Sequence, residues 1–316
     1  MIFQKMICYV AAALGIGAVA ELGIATYFYR RTMIRGNART DRTMKMAGTD
    51  WNQHMAFIKE RKEAMLSQEH SDQWIMSEDG LRLHATWFPK DDCKKVVICL
   101  HGYTSQGMSD YIGLSGYYLN KGYSMLLPDL RAHGESEGTY IGFGCLDRKD
   151  TLKWIQWVIR KCGEDVKILL HGTSMGGATV LMTSSMDLPT QVKGIVSDCA
   201  FTSPKEVFTH VLHSMYHLPA FPLMQIADLM NQKLSGYGLD ECNAAREVQH
   251  AKVPILFIHG SGDTFVPCKM CDKIYENCTS KKKKLIIEGA AHAESYYKDP
   301  ASYENALNEF TGELGL

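Results

Sequence analysis

The chain has 316 residues, room for two domains at about 150 residues each or for one open α/β sheet carrying insertions. Its 34 Lys and Arg against 35 Asp and Glu leave a formal charge of -1, so no positive field gathers nucleic acid and no acidic tail holds the chain open. Hydrophobic residues at 46% and charged residues at 22% exclude disordered, collagen-like and multi-span membrane classes.

The amino terminus differs from the rest. From Met6 to Tyr29 the chain is apolar but for Glu21, and a helix of that length reaches about 36 Å, enough to cross a hydrocarbon core with some tilt. Tyr27 to Arg31 then form an aromatic and basic edge suited to a bilayer interface. Residues 1–31 are therefore read as a single-pass membrane anchor. Two other readings stand beside it: a signal peptide cleaved after Ala18-Val19-Ala20, and a helix buried against the domain. Lys5 precedes the apolar stretch, whereas Arg30, Arg31, Arg35, Arg39, Arg42 and Lys45 follow it, and the positive-inside tendency places the catalytic domain in the cytoplasm. The ten cysteines, read as mostly reduced, agree with that side, since an oxidising compartment would threaten thiols such as Cys93 or Cys278 with unwanted pairing.

Residues 32–71 read as an amphipathic linker helix. Asp50 and Gln53 stand at capping-box spacing, and Trp51, Met55, Ile58 and Met65 recur at helical spacing. From residue 72 to 316 the pattern changes. Gln73–Met76 and Leu81–Phe88 flank Glu78-Asp79-Gly80 as an antiparallel hairpin. Near-continuous apolar runs follow at Val96–Leu100, Ser124–Leu127, Val166–Leu170, Gly194–Val196, Ile255–Ile258 and Leu285–Ile287, with helical segments near residues 108–121, 146–161, 175–185 and 301–311. This alternation predicts an α/β fold, a doubly wound and mainly parallel sheet covered on both faces. Residues 198–252 interrupt it as a cap insertion, whose Phe208, Leu212, Met224 and neighbours could line an acyl pocket.

The chemistry concentrates in Gly172-Thr173-Ser174-Met175-Gly176, between the strand Val166–His171 and a helical run. A tight strand-to-helix turn exposes the serine at the carboxyl edge of the sheet, and the glycines keep Cβ atoms out of the corner. A serine hydroxyl needs a base, and the base needs an orienting carboxylate. Asp263 lies in a loop past Ile255–Ile258, and His292, the last histidine in the chain, lies past the final strand. Asp198, after another strand, is the alternative acid. The Met175 N–H and the Tyr103 N–H, in His101-Gly102-Tyr103 past Val96–Leu100, are the expected oxyanion donors. His101 precedes the nucleophile and is assigned to bracing that loop. Cys268, Cys271 and Cys278 give a C-x2-C-x6-C spacing with no fourth ligand, so no metal is assigned; no cofactor motif is present.

With these motifs, and with Asp129-Leu130-Arg131-Ala132-His133-Gly134-Glu135-Ser136 after the fourth strand, the sequence resembles the α/β-hydrolase superfamily from about Gln73 to Phe310. It looks most like bacterial membrane-anchored serine hydrolases of the serine-aminopeptidase-like or prolyl-oligopeptidase-like branch. The resemblance implies a structural role for Asp129, Arg131 and His133, and a Ser-Asp-His triad acting on a small-molecule ester. A short peptide or amide is the runner-up substrate, and a hydrolase-fold protein that binds without turnover is the alternative of another class. Membrane contact through the N-terminal helix is the expected partnership, with no nucleic acid.

Overall fold

The computed structural model describes residues 21–36 and 49–316. The sheet has eight strands, β1 (Ser71–Met76), β2 (Arg82–Phe88), β3 (Lys95–Leu100), β4 (Ser124–Pro128), β5 (Lys167–Thr173), β6 (Val192–Asp198), β7 (Ile255–Gly260) and β8 (Lys282–Ile287), in the order β1-β2-β4-β3-β5-β6-β7-β8. β1 and β2 form the expected hairpin, with Met76 opposite Arg82, and β2 also runs antiparallel to β4. From β4 to β8 every pairing is parallel.

Alternation along the central strands divides the core. Val96, Ile98 and Leu100 of β3 bury into one layer and Val97 and Cys99 into the other, as a sheet covered on both faces requires. Helices α3 (Ile112–Asn120) and α11 (Pro300–Glu313) cover the second face, while α4 (Asp147–Cys162) and α5 (Met175–Thr183) cover the first. Between β6 and β7 the insertion folds as α6 (Pro204–Tyr216), α7 (Leu223–Leu234) and α8 (Ala244–Glu247). Ser203 starts α6 by accepting from the Glu206 N–H at 3.2 Å, with Pro204 in the first turn, where its missing N–H costs nothing. After β7 comes α9 (Cys268–Asn277), and a short α10 (Ser295–Lys298) precedes α11.

The linker helix is shorter and less amphipathic than expected. A 3-10 turn over Trp51–His54 leads into α2 (Met55–Leu66), and Asp50 caps the turn through the Asn52 N–H at 3.1 Å. The Gln53 side chain instead donates to Glu294 at 3.1 Å. Met65 is buried and Ile58 partly so, but Met55 points to solvent.

The expected membrane span falls for the most part outside the described residues. Residues 1–20 lie outside the described residues, but 21–33 form a helix, α1, which packs on the cap. Ala25, Tyr29 and Met33, one helical turn apart, are each buried; the Tyr29 hydroxyl meets Ser235 Oγ at 2.7 Å, and the Phe28 and Tyr216 rings meet edge to face. Leu22 and Tyr27 remain exposed on the other side. Among the described residues no helix is long and apolar enough to cross a membrane. Most described cysteines are free, as expected, but Cys93 is not. Cys93 and Cys162 are disulfide-bonded with Cα atoms 5.4 Å apart, joining the start of β3 to the end of α4, and Cys278 is buried rather than exposed. Among the described residues seven other cysteines are free.

The segment after β4 is an electrostatic hub. Arg131 forks onto Asp150 through Nε at 2.7 Å and Nη2 at 2.9 Å, and also reaches Asp79 at 2.9 Å. Burial raises the Asp150 carboxyl to about 6 against the pull of Arg131. Arg131→Met should therefore destabilise the fold by about 3 to 5 kcal/mol, as removing one partner of a buried pair does. The shift of the urea midpoint at pH 7.5 measures this, and a change within 1 kcal/mol, on the order of a surface mutation, would refute the role.

Candidate active site

Ser174 sits where β5 turns into α5, with φ 54° and ψ -112°, the left-handed backbone a strained elbow demands. The glycines around it are steric necessities. A Cβ at Gly176 would lie 1.9 Å from the Leu100 carbonyl oxygen, and one at Gly172 would lie 2.1 Å from that of Gly176. The Ser174 N–H is fixed by the Asp198 carbonyl at 2.8 Å.

The loops past β7 and β8 bring the other two predicted residues to it. Ser174 Oγ lies 2.8 Å from His292 Nε2, and His292 Nδ1 lies 2.7 Å from Asp263 Oδ2. These partners assign the tautomer: the ring donates from Nδ1 to the carboxylate and accepts the serine proton at Nε2. Asp263 Oδ1 accepts the Phe265 and Val266 N–H groups at 3.0 and 2.8 Å. Burial alone would raise this carboxyl, yet its electrostatic interaction with the His292 ring and hydrogen bonds from His259 and His292 outweigh it and hold Asp263 well below the usual carboxylate range. The group thus stays ionised although its side chain is buried.

Asp198, the alternative acid, faces elsewhere. Its oxygens accept from Ser295 Oγ at 3.2 Å and the Tyr303 hydroxyl at 3.1 Å. Burial raises its carboxyl to about 6.

The Met175 N–H opens α5, where no intrahelical acceptor exists for it, and Gly102 lies beside the elbow, where an added Cβ would stand 3.4 Å from that of Ser174. His101 braces this loop, donating from Nδ1 to the Gly102 carbonyl at 2.7 Å and accepting the Leu130 N–H at 3.0 Å. His133 accepts the Thr104 N–H at 3.2 Å; burial lowers its imidazole to about 3, so it remains a neutral acceptor. Asp129 ties the same region together through the Gly107 and Glu135 N–H groups and His84. The structural roles expected of Asp129, Arg131 and His133 match these contacts.

Three supporting residues escaped the sequence reading. Asp110 Oδ2 accepts the Gly102 N–H at 2.6 Å and so sets the direction of the loop that carries Tyr103. His259 donates to the Val266 carbonyl at 2.8 Å beside Asp263. Glu294 accepts the Ala291 N–H at 2.9 Å, and Gln53 and His54 approach its other oxygen, each at 3.1 Å, which joins α2's entry to the His292 loop. His259 directly follows the apolar run Ile255–Ile258, four residues before Asp263, whereas Asp110 and Glu294 carry no periodic or motif signal.

The family model described as alpha/beta hydrolase fold matches residues 95–235. Uncharacterized protein YqkD of Bacillus subtilis is 30% identical over 228 residues, 72% of this chain and 73% of that protein. Lysophosphatidylserine lipase ABHD12 of Danio rerio is 26% identical over 204 residues, 63% of this chain and 51% of that protein. Among solved structures, the Pyrococcus furiosus esterase Pf2001 matches with a TM-score of 0.65 at 24% identity, covering 78% of this chain and 92% of that one, a likeness of fold. With the sheet order, the elbow and these relatives in agreement, the chain belongs to the α/β-hydrolase superfamily.

Proposed function

We propose that the protein is a serine hydrolase that cleaves a carboxylic ester through an acyl-enzyme intermediate. The observation that carries this reading is the unbroken chain from Ser174 Oγ through the His292 ring to Asp263, with the serine on a strained elbow and the carboxylate held ionised. In this mechanism His292 Nε2 takes the Ser174 proton as Oγ attacks the carbonyl, and the Met175 and Tyr103 amides receive the charge that develops on its oxygen. His292 then protonates the leaving alcohol. Water, deprotonated by the same ring, releases the acid and restores Ser174. Ester is favoured over amide because a relative of this chain is named a lysophosphatidylserine lipase.

A fluorophosphonate probe followed by a panel of esters and aminoacyl amides tests the reading. Stoichiometric labelling at Ser174 with ester turnover exceeding amide turnover supports it; no labelling and no turnover would leave a protein that binds without chemistry. Asp110 gives a finer check. Asp110→Asn keeps an acceptor of similar shape but loses the charge behind the Gly102 N–H, so kcat should fall by about tenfold with KM little changed. An unchanged kcat would separate Asp110 from the oxyanion loop's function.

The same proposal keeps the apolar stretch from Met6 as the membrane-associating segment, now with α1 as its joint to the domain. The Cys93–Cys162 bond removes the thiol argument for a cytoplasmic domain, which leaves the flanking charges as its support. Protease treatment of intact cells, read at the carboxyl terminus, separates the two sides.

A further inference from the structure

An apolar cavity lies between α1 and the cap, beside the catalytic cleft. Ala25 and Tyr29 line it from α1, Phe208 and Leu212 from α6, and Met224 and Ala227 from α7. Tyr103 and Thr104 border this cavity on one side and the cleft of Ser174 and His292 on the other. Four of the hydroxyl groups along its wall have partners within the protein, and a fifth, that of Tyr216, belongs to a partly exposed ring. Tyr29 pairs with Ser235, Thr32 donates to the Phe28 carbonyl at 2.8 Å, Tyr103 donates to the Arg31 carbonyl at 3.3 Å, and Thr104 donates to the Tyr103 carbonyl at 2.7 Å. A chain entering from the cleft therefore meets mostly apolar surface, with the exposed Arg31 as the charged residue along it. The cleft itself is lined by Asp72, His84, Asp110, His133 and Glu135, a polar setting for the other half of a substrate.

We infer that this cavity receives the alkyl chain of the acyl group, and that α1, which precedes the hydrolase domain, forms one wall of the acyl site. The inference rests on the acyl-enzyme reading above and narrows its substrate class to esters whose acid carries an unbranched apolar chain. The reason is positional. The residue proposed to receive the carbonyl oxygen at its amide also turns its side chain toward α1, and with Thr104 it borders both the cleft of Ser174 and the apolar cavity, which places the cavity on the side the alkyl substituent can take. Hydrophobic transfer sets the scale: each methylene taken from water into such a pocket is worth about two- to fourfold in kcat/KM.

The test uses the full chain in mild detergent with p-nitrophenyl acetate, butanoate, hexanoate and octanoate. For the wild type, kcat/KM should rise at least about tenfold from acetate to hexanoate. Ala25→Phe and Ala227→Phe fill the same space from opposite walls without approaching Ser174. Each should cut hexanoate by about tenfold while acetate stays within about twofold. Leu22→Ser, on the exposed side of α1, should keep the wild-type profile. A wild-type profile that is flat or falls with chain length overturns the inference, as does equal loss of acetate and hexanoate in both filled variants. If one filled variant does not fold, the other and the wild-type profile decide. Absent labelling by fluorophosphonate together with no turnover of acetate is a different failure, which removes the hydrolase reading itself and the inference with it.

Discussion

Ser174→Ala should abolish fluorophosphonate labelling and lower kcat by about five to six orders of magnitude, because removing the nucleophile of a comparable triad costs about as much as removing the whole triad. What remains would come from the oxyanion donors and substrate positioning, which the substitution does not touch. The fold should be unaffected. Ser174 contributes one hydroxyl hydrogen bond to His292 and carries an ordinary Cβ, so the variant's stability should stay within about 1 kcal/mol of wild type. Alanine occupies the same left-handed backbone at a similar cost, and the glycines that permit the elbow are retained. Active-site labelling, turnover and a thermal melt on one preparation answer the question together. Turnover near wild type from an unlabelled, folded variant would require another nucleophile.

The sheet was readable in the sequence because its strands are short, apolar on both faces and separated by helices of the other period. Val96–Leu100 and Ile255–Ile258 carry that signal without ambiguity, and each appears as a strand extended by a residue or two at its ends. That Ser174, Asp263 and His292 come together was readable for a related reason. Ser174, Asp263 and His292 each follow a strand's carboxyl end, where the fold gathers its loops, so position in the pattern fixes proximity in space. The supporting shell was not. Asp110 acts through one backbone N–H, and Glu294 bonds residues from before β1, contacts that depend on loop conformations no periodicity encodes. The packing of residues 21–33 on the cap was not legible in the sequence for a physical reason. A helix packed on an apolar cap and a helix in lipid both need apolar side chains, and Ala25, Tyr29 and Met33 satisfy either until their packing partners are known. Likewise, the Cys93–Cys162 pair joins residues far apart in sequence, and spacing alone cannot pair them.

The two aspartates at the carboxyl edge of the sheet should respond in opposite ways to the same substitution. Asp263→Asn should lower kcat by about 10⁴-fold, the scale known for an analogous triad carboxylate, because an amide that donates toward Nδ1 favours the tautomer in which Nε2 cannot accept the serine proton. It should also remove an acid-dependent stabilisation. A carboxyl depressed in the folded state contributes stability above its unfolded value, near 3.8, that is lost as pH falls toward the folded one, and the variant lacks this slope. Asp198→Asn should leave kcat within about tenfold, since its oxygens serve Ser295 and Tyr303 rather than His292. Its effect on stability has the reverse sign. Burial raises Asp198 to about 6 from 3.8, so the wild type carries a penalty that grows as pH rises through that interval. Relative to wild type, Asp198→Asn should therefore gain on the order of 2 to 3 kcal/mol between pH 4 and pH 7. Urea midpoints at those two pH values, taken beside turnover at pH 7, measure both arms. A large loss of kcat in Asp198→Asn with a small one in Asp263→Asn would move the orienting carboxylate from the β7 loop to the end of β6.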